Sequence, residues 1–218
     1  MRRGLFISFE GTEGSGKSTQ VARLTAKLRA LGFAAENTRE PGGTAIGEAI
    51  RHLLKHSSEG EKLFPEAELL LFAASRAQLT RELICPALER GVTVVADRFL
   101  DSSTAYQGLA RGIETQQVEA INRFAVEKCM PNITFLLDLS PDLAEHRLKQ
   151  RSDGEKDRME SESFDFFQTV RIAYIELANN QPERFHVIDA TKPADTIEQE
   201  IWNYLTKKFH GFFLAERI

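Results

Sequence analysis

The 218-residue sequence predicts an α/β sandwich of three layers built around a parallel sheet, on two observations. Short, almost continuously apolar runs alternate along the chain with segments of helical character, and the first of those runs leads into a Gly-rich octapeptide that opens a helix. Near-continuous apolarity marks strands covered on both faces. Strands that alternate with helices are joined by right-handed crossovers into a parallel sheet.

Leu5-Phe6-Ile7-Ser8-Phe9 reads as the first strand and residues 17–31 as the first helix, followed by a weaker strand over 34–39 and a helix over 45–55. Residues 65–90 are helical in pattern, with a kink or break expected at Pro86, whose missing N–H interrupts the ladder. Strands at 92–96, 133–137 and 185–188 alternate with helices over 116–127, 143–150, 161–179 and 194–208. The stretch 151–160 is charged and lacks apolar anchors, so it reads either as a mobile lid, taken as 147–160, or as a solvated turn. The apolar tail after residue 208 leaves three readings open: packing on the core, an oligomer contact, or a loose end. No repeat, low-complexity tract or linker divides the chain, and residues 1–218 are read as one domain.

With 42% hydrophobic and 28% charged residues, the composition is that of a globular protein, and no run of about 18 apolar residues suits a membrane span. The apolar run after Met1-Arg2-Arg3 ends in a Gly-rich turn, so no export signal is expected and the cytoplasm is the predicted location. A net charge of −4 lacks the basic footprint of a nucleic-acid binder and points to small-molecule partners. Cys85 and Cys129 form no CxxC pair and are expected to be two buried thiols in a reducing compartment.

Gly11-Thr12-Glu13-Gly14-Ser15-Gly16-Lys17-Ser18 fits GxxxxGK[ST] between a strand and a helix, and Thr19 follows in the same helical turn. The glycines let backbone N–H groups turn toward phosphate oxygens, and the helix start adds its positive dipole end. Lys17 would bridge the β- and γ-phosphates of ATP, and the Ser18 hydroxyl would ligate Mg²⁺. The fold class is therefore of the phosphate-loop NTPase type. A guanine-reading Asn-Lys-x-Asp is absent, and Asp189-Ala190-Thr191-Lys192 does not replace it, which argues against a GTP-dependent switch.

Further blocks narrow the class. Arg39-Glu40-Pro41-Gly42-Gly43-Thr44 follows the second strand, Phe72 and Arg76 lie four residues apart on the long helix, and Asp97-Arg98-Phe99 follows the third strand. Ser102-Ser103-Thr104-Ala105-Tyr106-Gln107-Gly108 comes next, and Asp157-Arg158 falls in the charged stretch. In this order, over about residues 5–189, the blocks resemble those of the thymidylate kinases. The resemblance implies a five-stranded parallel sheet, a homodimer, ATP with Mg²⁺ as donor, and dTMP as the acceptor that becomes dTDP.

It also implies roles. Asp97 would hold Mg²⁺ with Ser18, and Arg98 and Arg51 would grip the acceptor phosphate with guanidinium forks. Phe72 would stack on the base and Arg76 would contact it, two residues that share one helix face. Ser103 and Gln107 would touch the base, Tyr106 would lie near the sugar, and Glu40-Pro41 would shape the floor of the acceptor site.

Glu13 and Ser15 leave the phosphate loop without a second cation, so transition-state charge must be met from the lid. Arg147, Arg151 and Arg158 are the candidates, and spacing does not select among them. His52, His56, His146, His186 and His210 form no ligand or triad spacing. Two alternatives stay open: a kinase for another monophosphate or a deoxynucleoside, and a non-catalytic nucleotide-binding protein.

Overall fold

The computed structural model describes residues 3–55, 63–150, 158–159 and 161–214. Strands β1 (Phe6–Glu10), β2 (Ala35–Arg39), β3 (Thr93–Asp97), β4 (Ile133–Asp138) and β5 (Phe185–Asp189) form one parallel sheet in the order β2-β3-β1-β4-β5. The helices are α1 (Lys17–Ala30), α2 (Ala45–Lys55), α3 (Pro65–Leu79), α4 (Cys85–Glu89), α5 (Leu100–Ser103), α6 (Thr115–Val126), α7 (Pro141–Gln150), α8 (Phe164–Asn180), α9 (Ala194–Lys208) and α10 (His210–Leu214).

Strand alternation assigns the two faces. Ile7 and Phe9 of β1 point to the side covered by Leu24 and Leu28 of α1 and by Ile197 and Ile201 of α9. Phe6 points to the other side, against Leu79, Ile84, Leu88 and Phe99. Because β1 lies between β3 and β4, the chain reverses its direction of winding there, and the crevice beyond the strand ends is a ligand site by topology. The register sets Phe9 opposite Asp97, which brings the loop after β1 next to the end of β3.

Three features differ from the sequence-based expectations. The long helix does not break at Pro86; it widens earlier, into a π-helical turn at Thr80–Ile84, and Pro86 falls in the first turn of α4, where an N–H is dispensable. A second π-helical turn, Thr104–Ala110, carries Tyr106 and Gln107, where no helix was expected. Cys85 and Cys129 are joined in a disulfide, with Cα atoms 6.3 Å apart, which corrects the reading as two separate thiols. They lie 44 residues apart in sequence, and only the packing of α4 beside the segment after α6 makes them neighbours.

The described part of the C-terminal tail, residues 209–214, packs on the core. The Phe33 ring lies 6.1 Å from that of Phe212 and 5.1 Å from that of Phe213, and Phe213 meets Trp202 at 5.5 Å.

Candidate functional site

The loop between β1 and α1 is glycine-dependent where the sequence demands it. Gly11 has φ 139°, and a Cβ there would sit 2.5 Å from the Leu137 carbonyl oxygen; Gly14 has φ 75°, and a Cβ there would sit 2.9 Å from the Ala144 carbonyl oxygen. Gly16, the N-cap of α1, has no side chain to cap the first turn, so its N–H groups can face a ligand. Lys17 Nζ donates to the carbonyls of Gly11 (3.1 Å) and Thr12 (2.8 Å) and lies 3.4 Å from Ser15 Oγ. Burial, with the nearby Arg98 charge, lowers the Lys17 ammonium to about 8. Ser18 Oγ donates to Asp97 Oδ2 at 2.5 Å, while Thr19 is exposed beside it. A hydroxyl and a carboxylate converging beside the phosphate cradle are the hard oxygen donors that suit Mg²⁺.

Next to Asp97 the chain turns sharply. Arg98 has φ 71°, a left-handed conformation costly for a residue with a Cβ, and two hydrogen bonds hold it there: Arg98 N–H to the Phe9 carbonyl (2.9 Å) and Phe99 N–H to Glu10 Oε1 (2.7 Å). Its guanidinium donates to Glu13 (2.6 Å), to the Tyr106 hydroxyl (3.1 Å) and to Ser102 and Tyr174 (3.2 Å each). Glu10 also accepts from Ser102 Oγ (2.7 Å) and Tyr174 OH (2.8 Å). Burial, reinforced by Asp101, pushes the Glu10 carboxyl up. Burial also lifts the Tyr106 and Tyr174 hydroxyls well above their ordinary values, so both remain neutral donors.

A cavity of about 340 Å³ runs from this cradle to Phe72 on α3. Gly14, Gly16, Lys17 and Asp97 line one end; Pro41, Arg51, Phe72, Tyr106 and Gln107 line the rest. The Glu40-Pro41 peptide is cis, and the Arg51 guanidinium donates to the Pro41 carbonyl at 2.8 Å. Arg76 and Ser103 lie one layer behind the cavity. Arg76 is 0% exposed, and its five N–H groups meet Glu40 Oε2 (2.9 and 2.6 Å), Ser103 Oγ (3.0 Å), Asn122 Oδ1 (2.7 Å) and the Phe99 carbonyl (3.3 Å). Burial raises the Glu40 carboxyl to about 7 against the pull of Arg76, and its Oε1 is buried without a hydrogen-bond partner among the described residues.

The family model for thymidylate kinase matches residues 9–201. The chain belongs to the thymidylate kinase family. It is 46% identical to a thymidylate kinase of Deinococcus radiodurans over 210 residues, covering 96% of this chain and 100% of that one. It is 48% identical to one of Kosmotoga olearia, covering 90% of this chain and 93% of that one. Among solved structures, a thymidylate kinase of Ehrlichia chaffeensis matches with TM-score 0.75 and 31% identity, over 93% of this chain and 99% of that one. The five-stranded parallel sheet expected from the resemblance to the thymidylate kinase family is present.

Within this thymidylate kinase framework the candidate lid arginines part company. Arg147 donates to the Gly14 carbonyl (3.4 Å) and the Ala190 carbonyl (2.8 Å), beside the phosphate loop. Arg158 instead reaches the opposite end of the cavity, 2.6 Å from Glu68 and 3.0 Å from the Leu54 carbonyl. Arg151 and Asp157 lie outside the described residues.

Sequence reasoning missed Glu10, Glu68, Arg111, Asn122 and Tyr174. A carboxylate closing an otherwise apolar strand marks Glu10, but nothing local distinguishes Tyr174 or Asn122 from ordinary helix residues.

Proposed function

We propose that the chain transfers the γ-phosphoryl group of ATP to dTMP, giving dTDP and ADP, as one nucleoside monophosphate kinase domain acting in a cytoplasmic homodimer. Its membership of the thymidylate kinase family supports the reaction. The observation that carries the reading is that the phosphate loop, the Asp97-Arg98 turn and Phe72 open onto the same cavity.

ATP lies with its phosphates over Gly11 to Thr19 and its adenine near Asp189-Ala190, and dTMP lies between Arg98 and Phe72. An oxygen of the dTMP phosphate attacks the γ-phosphorus; that P–O bond forms as the bond to the β-phosphate oxygen breaks, and ADP leaves. Arg98 and Arg51 draw the acceptor phosphate in line, Lys17 follows the charge on the transferred group, and no general base is required. Ser18 and Asp97 would hold Mg²⁺, which would supply positive charge against the phosphate oxygens. Phe72 supplies the stacking surface, Tyr106 sits at the sugar, and Glu40 and Pro41 form the floor. Arg147 and Arg151 are read as the cations of the transition state.

Exposed apolar residues on three adjoining helices support the dimer: Ile46 and Leu53 on α2, Leu70 on α3, and Phe124 on α6, the last 80% exposed. Coupled ADP release with dTMP, dUMP, dCMP, dGMP and AMP tests the reaction. A clear preference for dTMP is expected, and a clear preference for dGMP or AMP overturns it.

A further inference from the structure

At the end of the cavity away from the phosphate loop, one buried carboxylate gathers groups from several parts of the chain. Glu68 on α3 has a side chain only 1% exposed, yet it meets two guanidinium groups and an amide. Gln107 Nε2 donates to its Oε1 at 2.7 Å. Arg111 approaches both oxygens at 3.3 Å, and Arg158 makes the closest ion pair, 2.6 Å. Burial opposes ionisation of Glu68, but Gln107, Arg111 and Arg158 outweigh it and hold the carboxyl below its ordinary range.

Two consequences follow. An ionised carboxylate only accepts, so the side of the Gln107 amide facing it must be the NH₂ group, which leaves the amide oxygen of this cavity-lining residue to accept from another donor. Arg111 is already tied to Glu162 (2.6 Å) and lies 4.7 Å over the Phe166 ring, whereas Arg158 is also anchored to the Leu54 carbonyl, at the cavity wall, and to Met159 Sδ (3.5 Å).

We propose that Glu68 is the positioning residue for base choice: it fixes Gln107 as a hydrogen-bond acceptor toward the base and holds Arg158, with the neighbouring Met159, across the base end of the cavity. This deepens the reading of that cavity as the dTMP site. Thymine carries an N–H at ring position 3, which a fixed amide oxygen accepts; cytosine carries a lone pair there, which the same oxygen repels. Glu68 also diverts Arg158 from the transferred phosphoryl group, so Arg158 acts in acceptor binding and not in turnover.

Steady-state kinetics of the full-length chain with dTMP and dCMP at saturating ATP test this, using Glu68→Gln, Arg158→Ala and the double variant. A glutamine at 68 can donate as well as accept, so the Gln107 amide is free to reverse. KM for dTMP should rise roughly tenfold, the dTMP over dCMP ratio of kcat/KM should narrow roughly tenfold, and kcat and the KM for ATP should hold within about twofold. Arg158→Ala should raise KM for dTMP about fivefold, and adding it to Glu68→Gln should raise it no further, since the pair is already broken. An unchanged ratio in Glu68→Gln, or a loss confined to kcat in either variant, overturns the proposal. If Glu68→Gln fails to fold, Arg158→Ala, at a side chain 22% exposed, decides: a raised KM for dTMP upholds it and an unchanged one overturns it. A wild-type chain that prefers neither pyrimidine brings down the functional reading and this proposal together; a normal wild-type ratio with unmoved variants brings down this proposal alone.

Discussion

The Arg76 guanidinium and the Glu40 carboxylate form an ion pair of 2.6 Å in which neither side chain is more than 2% exposed. It ties α3 to the turn after β2, and the remaining donors of Arg76 hold Ser103 and Asn122 in place. Removing one member of a buried pair strands the other without water or counter-charge. Arg76→Ala should therefore cost about 3–5 kcal/mol of stability, lowering Tm by about 10 °C in thermal unfolding. A Tm within about 2 °C of wild type would mean that the site relaxes to admit water.

Phe72 lines the cavity and offers a ring face that does not discriminate between pyrimidines. Base–aromatic stacking is worth about 1–3 kcal/mol, so Phe72→Ala should raise KM for dTMP and dCMP together, roughly tenfold each, with kcat little changed. A rise for dTMP alone would assign Phe72 to base reading instead.

Lys17 is held at about 8 in the ligand-free chain, below the ordinary 10.5, chiefly by burial and next by Arg98. For a lysine this depression is a folding cost below pH 8, relieved as pH rises from about 8 toward the unfolded value. The anionic triphosphate favours the charged form, so ATP binding should take up almost no proton at pH 7 and about one at pH 9, and affinity should weaken as pH rises through 8. Titration calorimetry in two buffers of different ionisation enthalpy measures the uptake. No uptake at pH 9 would show that Lys17 stays charged without ligand.

Arg147 lies against the phosphate-loop carbonyl of Gly14, and Arg158 is committed to Glu68. Of the three candidate lid arginines, Arg147→Ala and Arg151→Ala should carry the loss of kcat, at least one of them by about 100-fold, while Arg158→Ala keeps kcat within about threefold. Single-turnover measurements at saturating substrates separate this from binding, and normal kcat in both Arg147→Ala and Arg151→Ala would defeat the assignment.

Much of the fold and the phosphate-loop motif could be read in the sequence because the signals are local. The apolar runs sit at or within one residue of the observed strands, and GxxxxGK[ST] must follow a strand because its glycines turn backbone N–H groups into a helix start. Of the residues that the resemblance of the later blocks pointed to, Glu40, Pro41, Arg51, Phe72, Arg98, Tyr106 and Gln107 line the cavity, while Arg76 and Ser103 lie behind it. Their partners could not be read this way, since Arg76 finds Glu40 36 residues away and Glu10 finds Tyr174 164 residues away. Those pairings exist only once β1 and β3 lie side by side and α3, α6 and α8 pack over them. The same holds for Cys85 with Cys129 and for Arg158, whose charge could be read in the sequence but not its direction. Sequence pattern determines which groups are charged, apolar or conformationally free, because those are properties of single residues and their near neighbours. Which charge is buried against which is decided by tertiary packing, because desolvation and ion pairing depend on distances that only the folded chain sets.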